Sequence, residues 1–220
     1  MNVSATRART SGETISVVTR GELVLRGIHL SYATIGYNSL EAIASLIAGL
    51  LAGSVALIGF GIDSLIEVSA SGAAQWRLRS DLDETRRSRS ENVTHRFVGA
   101  CFLALAAYVV VDSAKTLWFR ERPDRTIVGI VILSMSVVVM PLLARAKLKV
   151  ASAMQSGALR AEARQTSLCA YLSIIALVGV LFNATLGWWW ADPVAALCMV
   201  PIIMSEGIDG LRAKPCDDCC

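Results

Sequence analysis

The sequence predicts an all-α membrane protein with six transmembrane helices and both termini in the cytoplasm. Of its 220 residues, 54% are hydrophobic, and the mean hydropathy is +0.54. Charged residues make up 18%, against roughly 25% in soluble proteins, and they cluster between long apolar runs, as in multi-span membrane proteins. Of the 21 lysines and arginines, 17 fall on the segments that share a side with the N-terminus. The positive-inside rule places that side in the cytoplasm.

The apolar runs define the six spans in chain order. Gly53 and Ser54 leave room for only a tight turn, so the first two spans should form an antiparallel hairpin. A charged connector at 77–96 is a loop or a helical extension, and the tryptophans of a GWWWADP turn fit an interfacial aromatic belt. The predicted spans are 28–52, 55–76, 97–119, 126–146, 158–183 and 194–208.

The spans divide the chain into three parts. Residues 1–26 are predicted to be a cytoplasmic N-terminal segment, residues 27–210 the transmembrane domain, and residues 211–220 a cytoplasmic tail. The first part carries four arginines and lacks the apolar core of a secretory signal peptide, so we expect it to stay in the cytoplasm. The predicted location of the protein is the plasma (inner) membrane. A net charge of +3, scattered over the connections, argues against nucleic acid as a partner.

The second span carries the strongest functional signal. Its run GSVALIGFGIDSLIEVSAS contains Asp63 and Glu67, which lie one helical turn apart and so share a face. A charged side chain at the bilayer centre costs about 2.5–3.5 kcal/mol on insertion scales. The pair is therefore half of a metal or proton site, or else a buried polar brace between helices.

A second polar line lies on the first span. Asn38 and Glu41 are three residues apart and share a face, with Ser45 one turn further on. Such a line usually faces protein or a water-filled cavity. We expect Asn38 and Glu41 to line a cavity with the acids of span two, or to form helix–helix hydrogen bonds. Glu206 on span six has the same two readings.

Three stretches together resemble the cation diffusion facilitator (cation efflux) family. They are GSVALIGFGIDSLIEVSAS in span two, GALRAEARQTSLCAYLS at the start of span five and GWWWADPVAAL at the start of span six. The resemblance covers about residues 28–210. It implies divalent-metal export by a homodimer, and it points to a short, divergent branch, because family members typically carry a cytoplasmic metal-binding domain after span six.

The resemblance also implies a tetrahedral metal site built from two helices. Asp63 and Glu67 match the span-two pair, with Glu in place of the usual Asp. The matching span-five positions hold Gln165 and Cys169 instead of His or Asp. Gln is a poor zinc ligand, whereas Cys is a good but softer one than carboxylate.

Helix geometry suggests which other residues of span five could complete the metal site. Glu162 and Cys169 are seven residues apart, so they point within about 20° of each other, and Gln165 is a neighbour of Glu162. The predicted site is then Asp63, Glu67 and Cys169, completed by Glu162, Gln165 or water. The alternative is that Cys169 only packs and Glu162 lies at the cytoplasmic interface.

The chain ends in CDDCC, which places Cys216, Cys219 and Cys220 beside two carboxylates. Thiolates with carboxylates favour capture of zinc or another soft divalent ion. A terminal sequence under little constraint is the alternative.

These observations predict a secondary transporter that exports a zinc-like divalent cation by alternating access in exchange for protons, not an enzyme, with no permanently bound cofactor. Metal ligands must be deprotonated, which makes proton exchange natural. The rival from another class is a non-transporting membrane protein that binds metal or a partner. An exporter of organic cations using Glu41 and Asp63 is disfavoured, because the sequence offers no evident aromatic cage.

Overall fold

The described residues form six α-helices and no strands, which confirms the predicted all-α architecture. The computed structural model describes residues 4–79, 84–154 and 157–212. The helices, numbered in chain order, are α1 Ser4–Ala52, α2 Val55–Arg79, α3 Glu84–Phe119, α4 Ile127–Met154, α5 Gly157–Leu186 and α6 Ala191–Arg212. Each contains a stretch long and apolar enough to cross a membrane. The protein is therefore an integral, multi-pass membrane protein.

The chain turns between α1 and α2 within two residues, as the sequence predicts. Gly53 adopts a left-handed conformation with φ of 64°, and the Ser54 N–H donates to Gly49 O at 3.0 Å, which ends α1. Ser54 then caps α2 by accepting a hydrogen bond from the Leu57 N–H. The two helices pack against each other as a hairpin.

Helix α2 is the centre of the bundle. It contacts α1, α3, α5 and α6, and its membrane segment has the largest buried share of the six. Large apolar side chains of α2, Leu57 and Phe60 among them, are fully buried in the main core. Apolar residues on the outer helix faces stay exposed, as a lipid environment allows. Polar groups carried by α2 are therefore held away from lipid by neighbouring helices.

Helix α4 extends beyond its predicted end at residue 146. Its buried positions Met140, Ala144, Lys147 and Ala151 continue one helical face past residue 146. The predicted span bounds left Lys147 to a connection on the inner side, and this was wrong, because Lys147 lies within α4 with its side chain fully buried. The reason is a partner on α5, described below.

Helices α5 and α6 approach closely at Gly179. A Cβ at this position would overlap the Cβ of Ala195 and lie 3.1 Å from Ala191 O. The close contact between α5 and α6 is therefore possible because glycine has no side chain. Overpacking such a contact costs about 1–3 kcal/mol.

We expect Gly179→Ala to lower the free energy of unfolding of the purified protein by about 1–3 kcal/mol. The measurement is the melting temperature in detergent. Gly36→Ala is the matched control, because a Cβ at this exposed helical glycine meets nothing within 4 Å. An equal melting temperature for the two variants would contradict the close approach.

Candidate metal centre

Asp63 and Glu67 lie together on the buried face of α2, as the sequence predicts. Their side chains are 4% and 2% exposed. At 1.5 Å per residue, they lie about 12 and 18 Å along α2 from its start at Val55. Both acids are thus at the middle of the span and away from lipid.

Cys169 of α5 is brought against this pair. Its side chain is 1% exposed, and its thiol lies beside the carboxyl groups of both Asp63 and Glu67. The structure therefore places three of the predicted ligands next to one another. Within the residues described, however, no three His, Cys, Asp or Glu side chains are arranged to hold a metal ion. The three groups are neighbours without forming a closed coordination shell.

Glu162 of α5 has partners on two other helices. It is buried, and Lys147 of α4 donates to its Oε1 at 3.0 Å in an ion pair. Ser31 of α1 donates to its Oε2 at 3.0 Å. Glu162 thus joins three helices and does not lie at a solvated interface.

Thr166 links this ion pair to the acids of α2. Its Oγ1 accepts a hydrogen bond from the Lys147 ammonium at 3.0 Å and donates to Glu67 Oε1 at 2.7 Å. The other oxygen of Glu67, Oε2, has no hydrogen-bond partner among the described residues. One side of the Glu67 carboxyl group is therefore fixed and the other remains open.

Gln165 is half-buried, and its Nε2 finds no hydrogen-bond partner within the described residues. Glu206 of α6 is also half-buried and lies within electrostatic range of Asp63. Among the described residues, no hydrogen bond joins the side chain of Gln165 or Glu206 to the carboxyl group of Asp63 or Glu67. Their predicted roles remain predictions.

The polar line of α1 meets α2 at the same level. Glu41 is buried and accepts a hydrogen bond from Ser64 of α2 at 3.2 Å, which is the predicted helix–helix bond. Asn38 is fully buried near Glu67, yet neither atom of its amide has a hydrogen-bond partner in the described part of the chain. Buried amides are normally satisfied. The amide of Asn38 therefore has a free donor and a free acceptor, within the described structure, that could bind a polar ligand or a water molecule.

Asp192 of α6 is a polar residue to which sequence reasoning gave no role. Its fully buried carboxylate accepts hydrogen bonds from the Ser54 hydroxyl and from the Val55 N–H at 2.8 Å, with the Ala56 N–H at 3.4 Å. It thus caps the N-terminus of α2 from another helix. An acid before Pro193 signals a helix start, but nothing local says that the capped helix is α2.

Nearby contacts tie the same end of the bundle together. The Asn183 side chain of α5 donates to Pro123 O at 3.0 Å, and the Asp124 N–H donates to Ala52 O at 2.7 Å. We call Asp192, Asn183 and Asp124, with the groups that they bond, the loop-end clasp. It joins the connections α1–α2 and α3–α4 to helices α5 and α6.

Lys147 is the other residue whose role the sequence analysis missed. The signal that could have found it is the helical period, because buried positions spaced by three and four residues from Leu133 onward reach Lys147. The predicted capture residues Cys216, Cys219 and Cys220 lie outside the described residues.

The comparison with protein families agrees with the family resemblance of the sequence. No curated protein matches the chain. The family model of the cation efflux transmembrane domain matches residues 31–213, which include most of the first membrane span, the other five spans and every candidate ligand except the terminal cysteines. The protein therefore belongs to the cation efflux family of membrane transporters, whose members carry metal cations.

Proposed function

We propose that the protein exports a divalent cation of the zinc type in exchange for protons, using Asp63, Glu67 and Cys169. The observation that carries this proposal is the meeting of two intramembrane acids with a buried thiol at the centre of a cation efflux domain. Two carboxylates and a thiolate more than balance the charge of a divalent ion, and the sulfur ligand suits zinc or cadmium better than manganese or magnesium.

Proton exchange follows from the cost of buried charge. Asp63 and Glu67 lie in a site closed to solvent, where an uncompensated carboxylate is strongly disfavoured. Each carboxyl group is therefore neutral with a proton or paired with a cation. A metal ion that binds must displace those protons. After the metal leaves at the opposite face of the membrane, the carboxyl groups take up protons there, which completes the cycle.

Metal binding requires the side chains of the site to move. The three groups are neighbours without a closed shell, so the Asp63 and Glu67 carboxyl groups would have to turn toward the Cys169 sulfur. Asn38, Gln165 or water would supply a fourth ligand. The plasma (inner) membrane, a homodimeric assembly and metal capture by Cys216, Cys219 and Cys220 belong to the same proposal.

The second candidate function is metal binding without transport. Two observations favour it. The described residues hold no preformed coordination shell for a metal, and Gln165 stands where the family resemblance implies His or Asp. Uptake of Zn²⁺, Cd²⁺ and Mn²⁺ into proteoliposomes with an imposed pH gradient separates the two functions. Zn²⁺ uptake that follows the gradient supports the transporter, and binding without uptake supports the alternative.

Substitutions of Cys169 test the thiol as a ligand. If it binds the metal, Cys169→Ala should weaken Zn²⁺ and Cd²⁺ binding by at least about tenfold, and Cys169→Asp should retain binding and favour Mn²⁺. Titration calorimetry of the purified variants measures this.

Cys198→Ala is the control, because Cys198 is exposed on α6. If Cys169 only packs, the order reverses. Alanine would then be tolerated, and the aspartate would place an unpaired charge in the core and impair folding.

A further inference from the structure

Lys147 is a cation that the protein itself supplies next to the acids of α2. Its side chain is fully buried, and its ammonium contacts Glu162 Oε1 and Thr166 Oγ1, both at 3.0 Å. Intramembrane lysines are costly and are retained with a partner or a function. A solvated basic residue at this end of α4 would avoid that cost, as exposed Lys149 does two residues later.

The ion pair occupies Glu162. One carboxylate oxygen accepts from Lys147 and the other from Ser31. For Glu162 to bind a metal, it would have to leave Lys147 buried without its counter-ion, and breaking a buried pair is strongly unfavourable. Glu162 is thus held out of the ligand set by its neighbours, although the sequence places it on the face of Cys169.

The Thr166 hydroxyl connects Lys147 to Glu67 through two hydrogen bonds. Its hydroxyl has a single proton, and the 2.7 Å contact to Glu67 Oε1 is shorter than the 3.1 Å contact to Glu162 O. With the Lys147 ammonium donating to the same oxygen, the proton is directed at Glu67. Glu67 Oε1 is therefore engaged, while Oε2 has no hydrogen-bond partner among the described residues.

We propose that Lys147 is a positioning residue that sets the metal preference of the site. It withholds Glu162 and one oxygen of Glu67, so that an incoming cation meets Asp63, the open oxygen of Glu67 and the Cys169 sulfur. The inference rests on the proposed function. A site with fewer oxygens and one sulfur favours softer ions, and release of Glu162 would add a carboxylate and favour harder ones.

The test compares metal binding to purified protein in detergent by calorimetry. Lys147→Met should strengthen Mn²⁺ binding relative to Zn²⁺ by at least about tenfold, the lower range of effects from outer partners of metal sites. Lys147→Arg should keep the wild-type preference, because the charge and its pairing with Glu162 are retained. Lys149→Met, which removes an exposed lysine of the same helix, should change nothing.

A second substitution separates positioning from general damage. In the Lys147→Met background, Glu162→Gln removes the released carboxylate and should return the preference to within about threefold of wild type. This double variant leaves no unpaired charge in the core, so it should fold and remain measurable even if Lys147→Met alone does not. A folded double variant that has lost Zn²⁺ binding would overturn the inference, because Glu162 or Lys147 would then be required for metal binding itself.

Failure of this inference differs from failure of the proposed function. Wild-type protein that binds neither ion would overturn both. Wild-type protein that binds Zn²⁺, together with a folded Lys147→Met variant of unchanged metal preference, would overturn the role of Lys147 alone.

Discussion

Asp63→Asn should abolish metal transport in proteoliposomes while the protein remains inserted and folded. Asparagine keeps the size of the side chain but removes the charge and the proton that, in the proposed mechanism, the carboxyl group exchanges for metal. Direct loss of a ligand should exceed the roughly 10–100-fold losses that outer-shell changes cause. Glu67→Gln should have the same effect, since Glu67 supplies the second acid on this face of α2.

The control for this result is another intramembrane acid. Asp112 lies within the span of α3, and its carboxylate accepts a hydrogen bond from Tyr108 at 3.2 Å. It has no contact with the candidate metal centre in the described structure, so Asp112→Asn should keep Zn²⁺ flux. Flux that persists within a few-fold of wild type in both Asp63→Asn and Glu67→Gln would remove the pair from the transport site.

Asp192→Ala should cause a large loss of stability at the loop-end clasp. The substitution removes the acceptor for the Ser54 hydroxyl and for the Val55 and Ala56 N–H groups. Loss of a helix cap costs about 0.5–2 kcal/mol, and donors left buried without partners cost about 1–3 kcal/mol each. The expected result is a lower melting temperature and less folded protein recovered from membranes.

Asp192→Asn should be intermediate, because the amide keeps one acceptor oxygen but turns its NH₂ toward a donor. Asp124→Asn serves as the control, since Asp124 is exposed and bonds through its backbone N–H. A wild-type melting temperature for Asp192→Ala would mean that α2 does not depend on this cap.

The sequence was sufficient for the spans and for the acid pair. Hydropathy marks α1 to α6 because lipid imposes it on every span, and the four-residue spacing of Asp63 and Glu67 places them on one face of any helix. The tight turn at Gly53 was predictable for the same local reason. These features depend on neighbours in the chain.

The missing parts of the candidate site depend on distant pairs. Lys147 meets Glu162 across 15 residues, Thr166 meets Glu67 across 99, and Asp192 meets Ser54 across 138. Spacing within one helix says which face a residue occupies, but it does not say which helix packs there. The α4–α5 and α2–α5 contacts supplied that information. The orientation with both termini in the cytoplasm remains a prediction from charge counts.

The position of Asp63 and Glu67 along α2 has an electrical consequence. At about 12 and 18 Å from the start of α2, they lie near the middle of a hydrocarbon core about 30 Å thick. Moving one elementary charge across the full membrane is worth about 2.3 kcal/mol per 100 mV, so a divalent ion that travels half-way is subject to about the same energy. Exchange for two protons would cancel this charge over a cycle, and exchange for one would leave a net charge moved. In the proposed exchange, the number of protons returned therefore decides whether the membrane voltage contributes to the net driving force for export.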